Sequence, residues 1–199
     1  MVLERLAADG TVVARSNGST HQVYPIAVSM AEGQALRAWI VRERVSKTIE
    51  IGLGYAVSTL HICDGLLEVG GHDPRHLAID PYQHSRFGNC GLQLLEDAGV
   101  RDLVDHVEGR SEILLPDLLR RGMSFDFAFI DGNHRFDGVF VDLFYLGRLV
   151  QLAGSSSSMI TSFPAFGARS RFTSPILDGC WPRHPSRISN ISGQCSAPP

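Results

Sequence analysis

The chain has 199 residues, 44% of them hydrophobic and 20% charged, with a formal net charge of −3. That length accommodates one substantial α/β domain, and the composition is that of an ordinary globular protein. A weakly acidic balance gives no electrostatic basis for binding nucleic acid or an anionic membrane, and no apolar run approaches the roughly 18 residues that cross a bilayer.

From the N-terminus, residues 24–45 contain the first helical pattern, with Ala35, Leu36, Trp39, Ile40 and Val41 near one face. Ser29 is placed as its N-cap, and Glu32, three residues on, completes a capping box. The run "KTIEIGLGYAVSTLHICDGLLEVG" then gives a short β-rich segment, a glycine turn and a helix from about Ala56. "RHLAIDPYQ" reads as a second strand ending in an acid, and "GNCGLQLLEDAGV" as the helix after it. "LVDHVEGRS" is a third strand and "EILLPDLLRRG" a helix. "FDFAFIDGNH" is a fourth strand, apolar enough to be buried on both faces, and "RFDGVFVDLFYLGRLV" is the helix that follows.

Strands alternating with helices predict right-handed βαβ units and a doubly wound, Rossmann-like parallel sheet flanked by helices. In such sheets ligands sit beyond the carboxyl ends of the strands. The closing residues are Glu50 with Gly52 and Gly54, then Asp80, then Gly109 to Ser111, then Asp131 to His134. Three segments result: an N-terminal lid and helix over 1–45, a nucleotide-binding core over 46–154, and an irregular Ser/Pro-rich tail over 155–199. Within that tail Asp178 is the only acid and there is no lysine, a composition poorly suited to offsetting chain entropy by burial. The fifth strand expected after Gly154 is replaced by "SSSSMIT", so the C-terminal strands are expected to be missing or aberrant.

The first turn supplies glycines where backbone meets a ligand and a helix N-terminus with free N–H groups. A dinucleotide fingerprint would require a third glycine where Val57 stands, and Glu50 would repel a pyrophosphate while welcoming a cationic cofactor. An NAD-type oxidoreductase is therefore the weaker alternative. The pattern of Glu50, Gly52, Ala56 and Ser58, followed by Asp80, "VSMAEGQAL" upstream and "DGNH" downstream, resembles class I S-adenosylmethionine-dependent methyltransferases, in particular the bacterial small-molecule O-methyltransferases. The resemblance covers roughly residues 20–154.

It implies that Glu50, Gly52 and Ser58 line the methionine part of S-adenosylmethionine, with Met30, Gly54 and Tyr55 also among the cofactor-binding residues. Asp80 would take the ribose, and Gly109, Arg110 and Ser111 the adenine. Asp131 would lie at the reacting end beside the cofactor, with His134 as general base or substrate orienter. A histidine suits that role because its pKa lies near neutrality. Read without the resemblance, Asp80 before Pro81 and Asp131 before Gly132 are also turn residues, and His134 is also a helix-start or packed histidine. Related enzymes hold a divalent metal such as Mg²⁺ with the fourth-strand acid and an acid pair ending the fifth strand. Here Asp131 is the one such acid in view, so the metal site is incomplete.

The remaining histidines read as surface or turn residues, and Phe136, Phe140, Phe144 and Tyr145 as a core stripe. Cys63, Cys90, Cys180 and Cys195 are widely spaced and form no C-x-x-C pair, which implies reduced thiols and a cytoplasmic protein. The partner implied is a small-molecule methyl acceptor, with room for a homo-oligomer. The serine run has a further reading. If those serines are encoded TCG, a one-base frame change gives Val-Val-Val-Asp-Asp, the strand and acid pair missing after Gly154. Residues from about 152 onward would then be a frameshifted tail, and the chain a catalytically impaired remnant that binds cofactor without turnover; the rival reading is a native serine-rich linker.

Overall fold

A computed structural model describes residues 1–71, 73–150, 158–161 and 172–173. The N-terminal region holds α1 (Val2–Asp9), a hairpin of β1 (Thr11–Val13) and β2 (Thr20–Gln22), and α2 (Met30–Glu43). Ser29 caps α2, and its backbone N–H donates to the Glu32 carboxylate at 2.9 Å, which completes the capping box. The sequence pattern did not separate α1 and the hairpin from a lid. Leu6, Val12, Ala14 and Val23 are nevertheless buried in the main core, so this region is packed scaffold.

Beyond α2 the chain alternates as expected: β3 (Lys47–Ile51), α3 (Val57–Val69), β4 (Arg75–Ile79), α4 (Cys90–Asp97), β5 (Val104–Val107), α5 (Ser111–Arg120), β6 (Phe127–Ile130) and α6 (Phe136–Leu149). The sheet continues through β7 (Ser158–Thr161) and β8 (Phe172–Thr173), in the order β5-β4-β3-β6-β7-β8. All neighbours from β5 to β7 run parallel, and β8 is antiparallel to β7. The strand at Ser158–Thr161 lies within "SSSSMIT" and pairs with β6. A ladder is made by backbone groups, and the open edge of β6 leaves donors and acceptors that a parallel neighbour satisfies whatever its side chains. The rest of the 155–199 tail, including Cys180 and Cys195, lies outside the described residues.

Period-two alternation distributes the strands' side chains between two cores. Ile49, Ile51, Ile79, Ala128 and Ile130 pack with Leu115 and Leu118 of α5 and Leu146 and Leu149 of α6. Ala78, Phe127 and Phe129 pack on the opposite face with Leu36 and Ile40 of α2, Leu60 and Leu66 of α3, and Leu94 and Leu95 of α4. Helices α2 and α3 approach closely at Gly33, where a methyl group would fall 2.0 Å from the His61 ring.

Two expectations fail on burial. His61 and His76 are buried rather than superficial, and the His61 ring nitrogens have no hydrogen-bond partner. Burial lowers the His61 pKa, so its ring is neutral. On α6, Phe136, Phe140 and Phe144 are 85%, 60% and 41% exposed; of the predicted stripe, Tyr145 alone packs against the core. The inward stripe is Val139, Asp142, Leu146 and Leu149, and the aromatic spacing fits a helical face equally well without stating which face meets the sheet.

Replacing buried Phe127 by alanine should cost about 3–5 kcal/mol of unfolding free energy. Phe140→Ser should change it by less than about 0.5 kcal/mol. Urea denaturation of both variants checks the two burial assignments together.

Candidate functional site

The strand order reverses beside β3: β4 and β5 lie to one side and β6 to the other. An open cleft of about 910 Å³ lies at the carboxyl ends of these strands, where a topological switch point places a ligand. Its walls include Gly52, Gly54, Tyr55 and Ser58 from the first turn, Asp80 after β4, Arg110 and Ser111 at the start of α5, and Asp131 and His134 after β6. Nine of the sequence-predicted positions thus meet in one cleft.

Gly52 is required by close approach. It has φ +97°, and a Cβ there would lie 2.4 Å from the Asp131 carbonyl oxygen. The turn after β3 and the end of β6 therefore touch backbone to backbone, held also by Asp131 N–H donating to the Ile51 carbonyl at 2.8 Å. Asp80 fastens the other side of the turn. Its Oδ2 accepts from the backbone N–H groups of Leu53 (3.0 Å) and Gly54 (2.8 Å), and its Oδ1 from that of Tyr82 (2.7 Å). The carboxylate is almost wholly buried but borders the cleft, so it shapes the turn as well as facing a ligand.

Glu50 is not on the cleft wall, which corrects its predicted role. Alternation sends Ile49 and Ile51 toward α5 and α6, and Glu50 the other way, beneath α3. There it is fully buried and accepts hydrogen bonds from Ser58 Oγ and Thr59 Oγ1, and it lies 3.1 Å from His76 Nε2. His76 Nδ1 is bonded in turn to Thr48 Oγ1 at 2.8 Å. Glu50 reaches the cleft only through Ser58. Met30 begins α2 and packs against the main core, while Gly109 sits against Leu114; neither borders the cleft.

At the far end, His134 Nε2 lies 3.8 Å from Asp131 Oδ1. Partial burial lowers the His134 pKa, leaving a neutral imidazole able to accept a proton at pH 7. Among the described residues no group of three or more His, Cys, Asp or Glu could hold a metal ion. Asp131 lacks a second acidic ligand there, so no step is derived through a metal. The sequence reading did not assign Ile26, Tyr82, Arg86, Phe87, Asn133 and Arg135 to the cleft. Tyr82 to Phe87 directly follow a strand-closing acid in an α/β sheet, and that position was the available signal. Asn133 lies within the strand-closing "DGNH" segment, whereas Ile26 and Arg135 carry no local pattern that marks them.

A family model described as a methyltransferase domain matches residues 49–155. No curated protein sequence matches significantly. The O-methyltransferase TomG from Streptomyces achromogenes, involved in tomaymycin synthesis and solved with SAM, is 24% identical with a TM-score of 0.59, covering 70% of this chain and 58% of that one. An O-methyltransferase from Bacillus cereus in complex with SAH is 18% identical with a TM-score of 0.63, covering 81% and 65%. The SAH-bound methyltransferase PaMTH1 from Podospora anserina is 18% identical with a TM-score of 0.60, covering 80% and 61%. These likenesses establish the fold, and the chain spans about three fifths of the length of the structures it matches. Among the described residues no helix is long and apolar enough to cross a membrane.

Removing the Glu50 carboxylate strands the groups bonded to it. Glu50→Ala should lower stability by about 3–5 kcal/mol, and Glu50→Gln by less, because its amide oxygen still accepts one hydroxyl. Chemical denaturation checks this; an alanine variant of normal stability but poor ligand affinity would return Glu50 to the cleft.

Proposed function

The chain belongs to the methyltransferase domain family, and we propose that its cleft binds S-adenosylmethionine and directs methyl transfer to an oxygen of a small molecule. The observation that supports this most is the turn over Gly52–Gly54, clamped between Asp80 and the Asp131 backbone at the switch point of the sheet. The first turn of α3, which that clamped turn leads into, presents backbone N–H groups to a ligand carboxylate. Ser58 Oγ borders the cleft where the methionine part would lie, its own proton given to Glu50. Asp80 would meet the ribose, and Arg110 and Ser111 would form the wall beside the adenine.

The sulfonium supplies an already activated methyl group. The protein's task is therefore alignment: the acceptor oxygen must approach in line with the S–CH₃ bond. Methylation of a hydroxyl would release that hydroxyl's proton, which a group of the protein must take up. His134, neutral and held near Asp131, is placed to take it. A cleft of about 910 Å³ is large enough for a nucleoside cofactor and a modest acceptor together. The position of Val57, buried at the start of α3 where a dinucleotide fold would have its third glycine, weighs against NAD. We place the chain in the cytoplasm, acting on a small-molecule acceptor.

Isothermal titration should show binding of S-adenosylmethionine and none of NAD; the reverse would refute the assignment. Asp80→Ala should weaken S-adenosylmethionine by at least about tenfold, and an unchanged Kd would remove Asp80 from the ribose site.

A second reading concerns the tail. The family match stops at residue 155, where the serine run begins. Whatever the serine codons, methionine is encoded only by ATG and isoleucine always begins AT. The Met159–Ile160 junction therefore contains GAT, an aspartate codon, in the frame that turns TCG serines into valines. We propose that the chain follows the family frame to about residue 152 and leaves it there, losing the acid pair and with it turnover. The coding DNA decides this: TCG serines are expected at 155–158, and AGC or AGT codons there would end the idea.

A further inference from the structure

The N-terminal hairpin reaches the cleft through one side chain. Tyr55 follows the Gly52–Gly54 turn and borders the cleft while almost wholly buried, and its hydroxyl lies 3.3 Å from Nδ1 of His21 on β2. Its ring is held on two sides. It packs edge-on against His21, with centroids 6.0 Å apart, and against Phe87, at 5.2 Å. Phe87 also borders the cleft, as does Arg86, whose guanidinium lies 5.5 Å from the centre of the Phe87 ring. The Tyr55–Phe87 pair thus joins by side chains the glycine turn and the loop after β4, which Asp80 joins by backbone hydrogen bonds.

The hydrogen bonds behind His21 have a fixed direction. Asn17 Oδ1 accepts from the Ser19 backbone N–H at 2.9 Å, so it is the amide oxygen, and the Ser19 hydroxyl at 2.7 Å must donate to it. With its one proton so used, Ser19 Oγ accepts from His21 Nε2 at 2.8 Å. In the neutral ring Nδ1 is then the acceptor, and the Tyr55 hydroxyl donates to it. The hairpin carrying this series is itself seated on α4 and the loop before it. The Arg15 backbone N–H donates to Gln93 Oε1 at 2.9 Å, Gln93 Nε2 donates to the Val13 carbonyl at 3.0 Å, and a Cβ on Gly88 would lie 3.2 Å from His21 Nε2. The His21 ring is therefore fixed at both nitrogens.

We propose that His21 is a positioning residue for the cleft: it fixes the Tyr55 ring, and with it the Tyr55–Phe87 wall against which the bound nucleoside cofactor lies. That consequence rests on the S-adenosylmethionine reading of the cleft, whereas the hold of His21 on Tyr55 does not.

The test uses the full chain with His21→Ala, His21→Asn, Tyr55→Phe and the His21→Ala/Tyr55→Phe double variant, each first shown by urea denaturation to be folded. S-adenosylhomocysteine affinity is measured by titration, and two NMR signatures are read without ligand: the nitrogen shifts of the His21 ring and the ring-carbon signal of Tyr55. The nitrogen shifts of the neutral ring should show Nε2 protonated and Nδ1 bare; the opposite tautomer would overturn the proposal. His21→Ala should displace the Tyr55 signal and weaken binding by about tenfold, and Tyr55→Phe should weaken binding by about threefold. The double variant should bind no worse than His21→Ala, because the hydroxyl acts only through the ring already removed. His21→Asn, which returns an amide oxygen near the position of Nδ1, should restore affinity to within about threefold of the unaltered chain. An unmoved Tyr55 signal or unchanged affinity in His21→Ala, or additive losses in the double variant, would overturn the proposal. Should His21→Ala fail to fold, Ser19→Ala removes the acceptor of the Nε2 proton and should move the Tyr55 signal and weaken binding by about threefold; absence of both changes would overturn the proposal equally. If the unaltered chain does not bind S-adenosylhomocysteine, the cofactor reading falls, and the two NMR signatures still decide whether His21 holds Tyr55.

Discussion

A fully buried carboxylate at the centre of the sheet ties the core together. Glu50 lies on the middle strand, accepts hydroxyl bonds from Ser58 and Thr59 on α3, and meets His76 on β4, which is fixed in turn by Thr48. Such a group is tolerated only when its lone pairs are satisfied, and its partners here come from α3 and β4 of the first strand-turn-helix-strand unit. The arrangement fixes how α3 sits on the sheet. Through Ser58 it also fixes the hydroxyl that helix offers to the cleft.

The cleft repeats this economy at its rim. Asp80 spends its carboxylate on three backbone N–H groups before any ligand arrives, and Gly52 allows the neighbouring strand end within backbone contact. A turn held from both sides changes little on binding, so less of the ligand's interaction energy is consumed in ordering the protein. For a reaction whose methyl donor is already activated, a fixed geometry is the protein's main contribution. The end of the cleft with His134 beside Asp131 is more open than the end at Asp80.

Much of this was legible because local rules and the global fold agree. The Ser29–Glu32 capping box, the glycine turn after β3 and the strand-closing acids each have a short-range cause, and each stands where the pattern put it. What failed was orientation. The spacing of Phe136, Phe140 and Phe144 defines a face but not its direction, because α6 carries apolar residues nearly all round. Glu50 was placed in the cleft because it precedes a glycine turn; one residue of strand alternation turns it beneath α3 instead. His61 and His76 look superficial by residue type alone, and only the tertiary contacts of α2, α3 and β4 bury them. Asp142 carries no local signal, since one acid in a helix reads as solvent-facing until its neighbour is known.

The stacked pair of Phe136 and Phe140 on the outside of α6 has a consequence for the life of the chain in a cell. Large aromatic rings held open to water, with Leu143 and Phe144 beside them, form the kind of surface that chaperones and proteases use to recognise unfinished proteins. The folded core does nothing to hide it. A patch of this size left uncovered makes capture and degradation, as well as unfolding, a route by which such a chain can be lost.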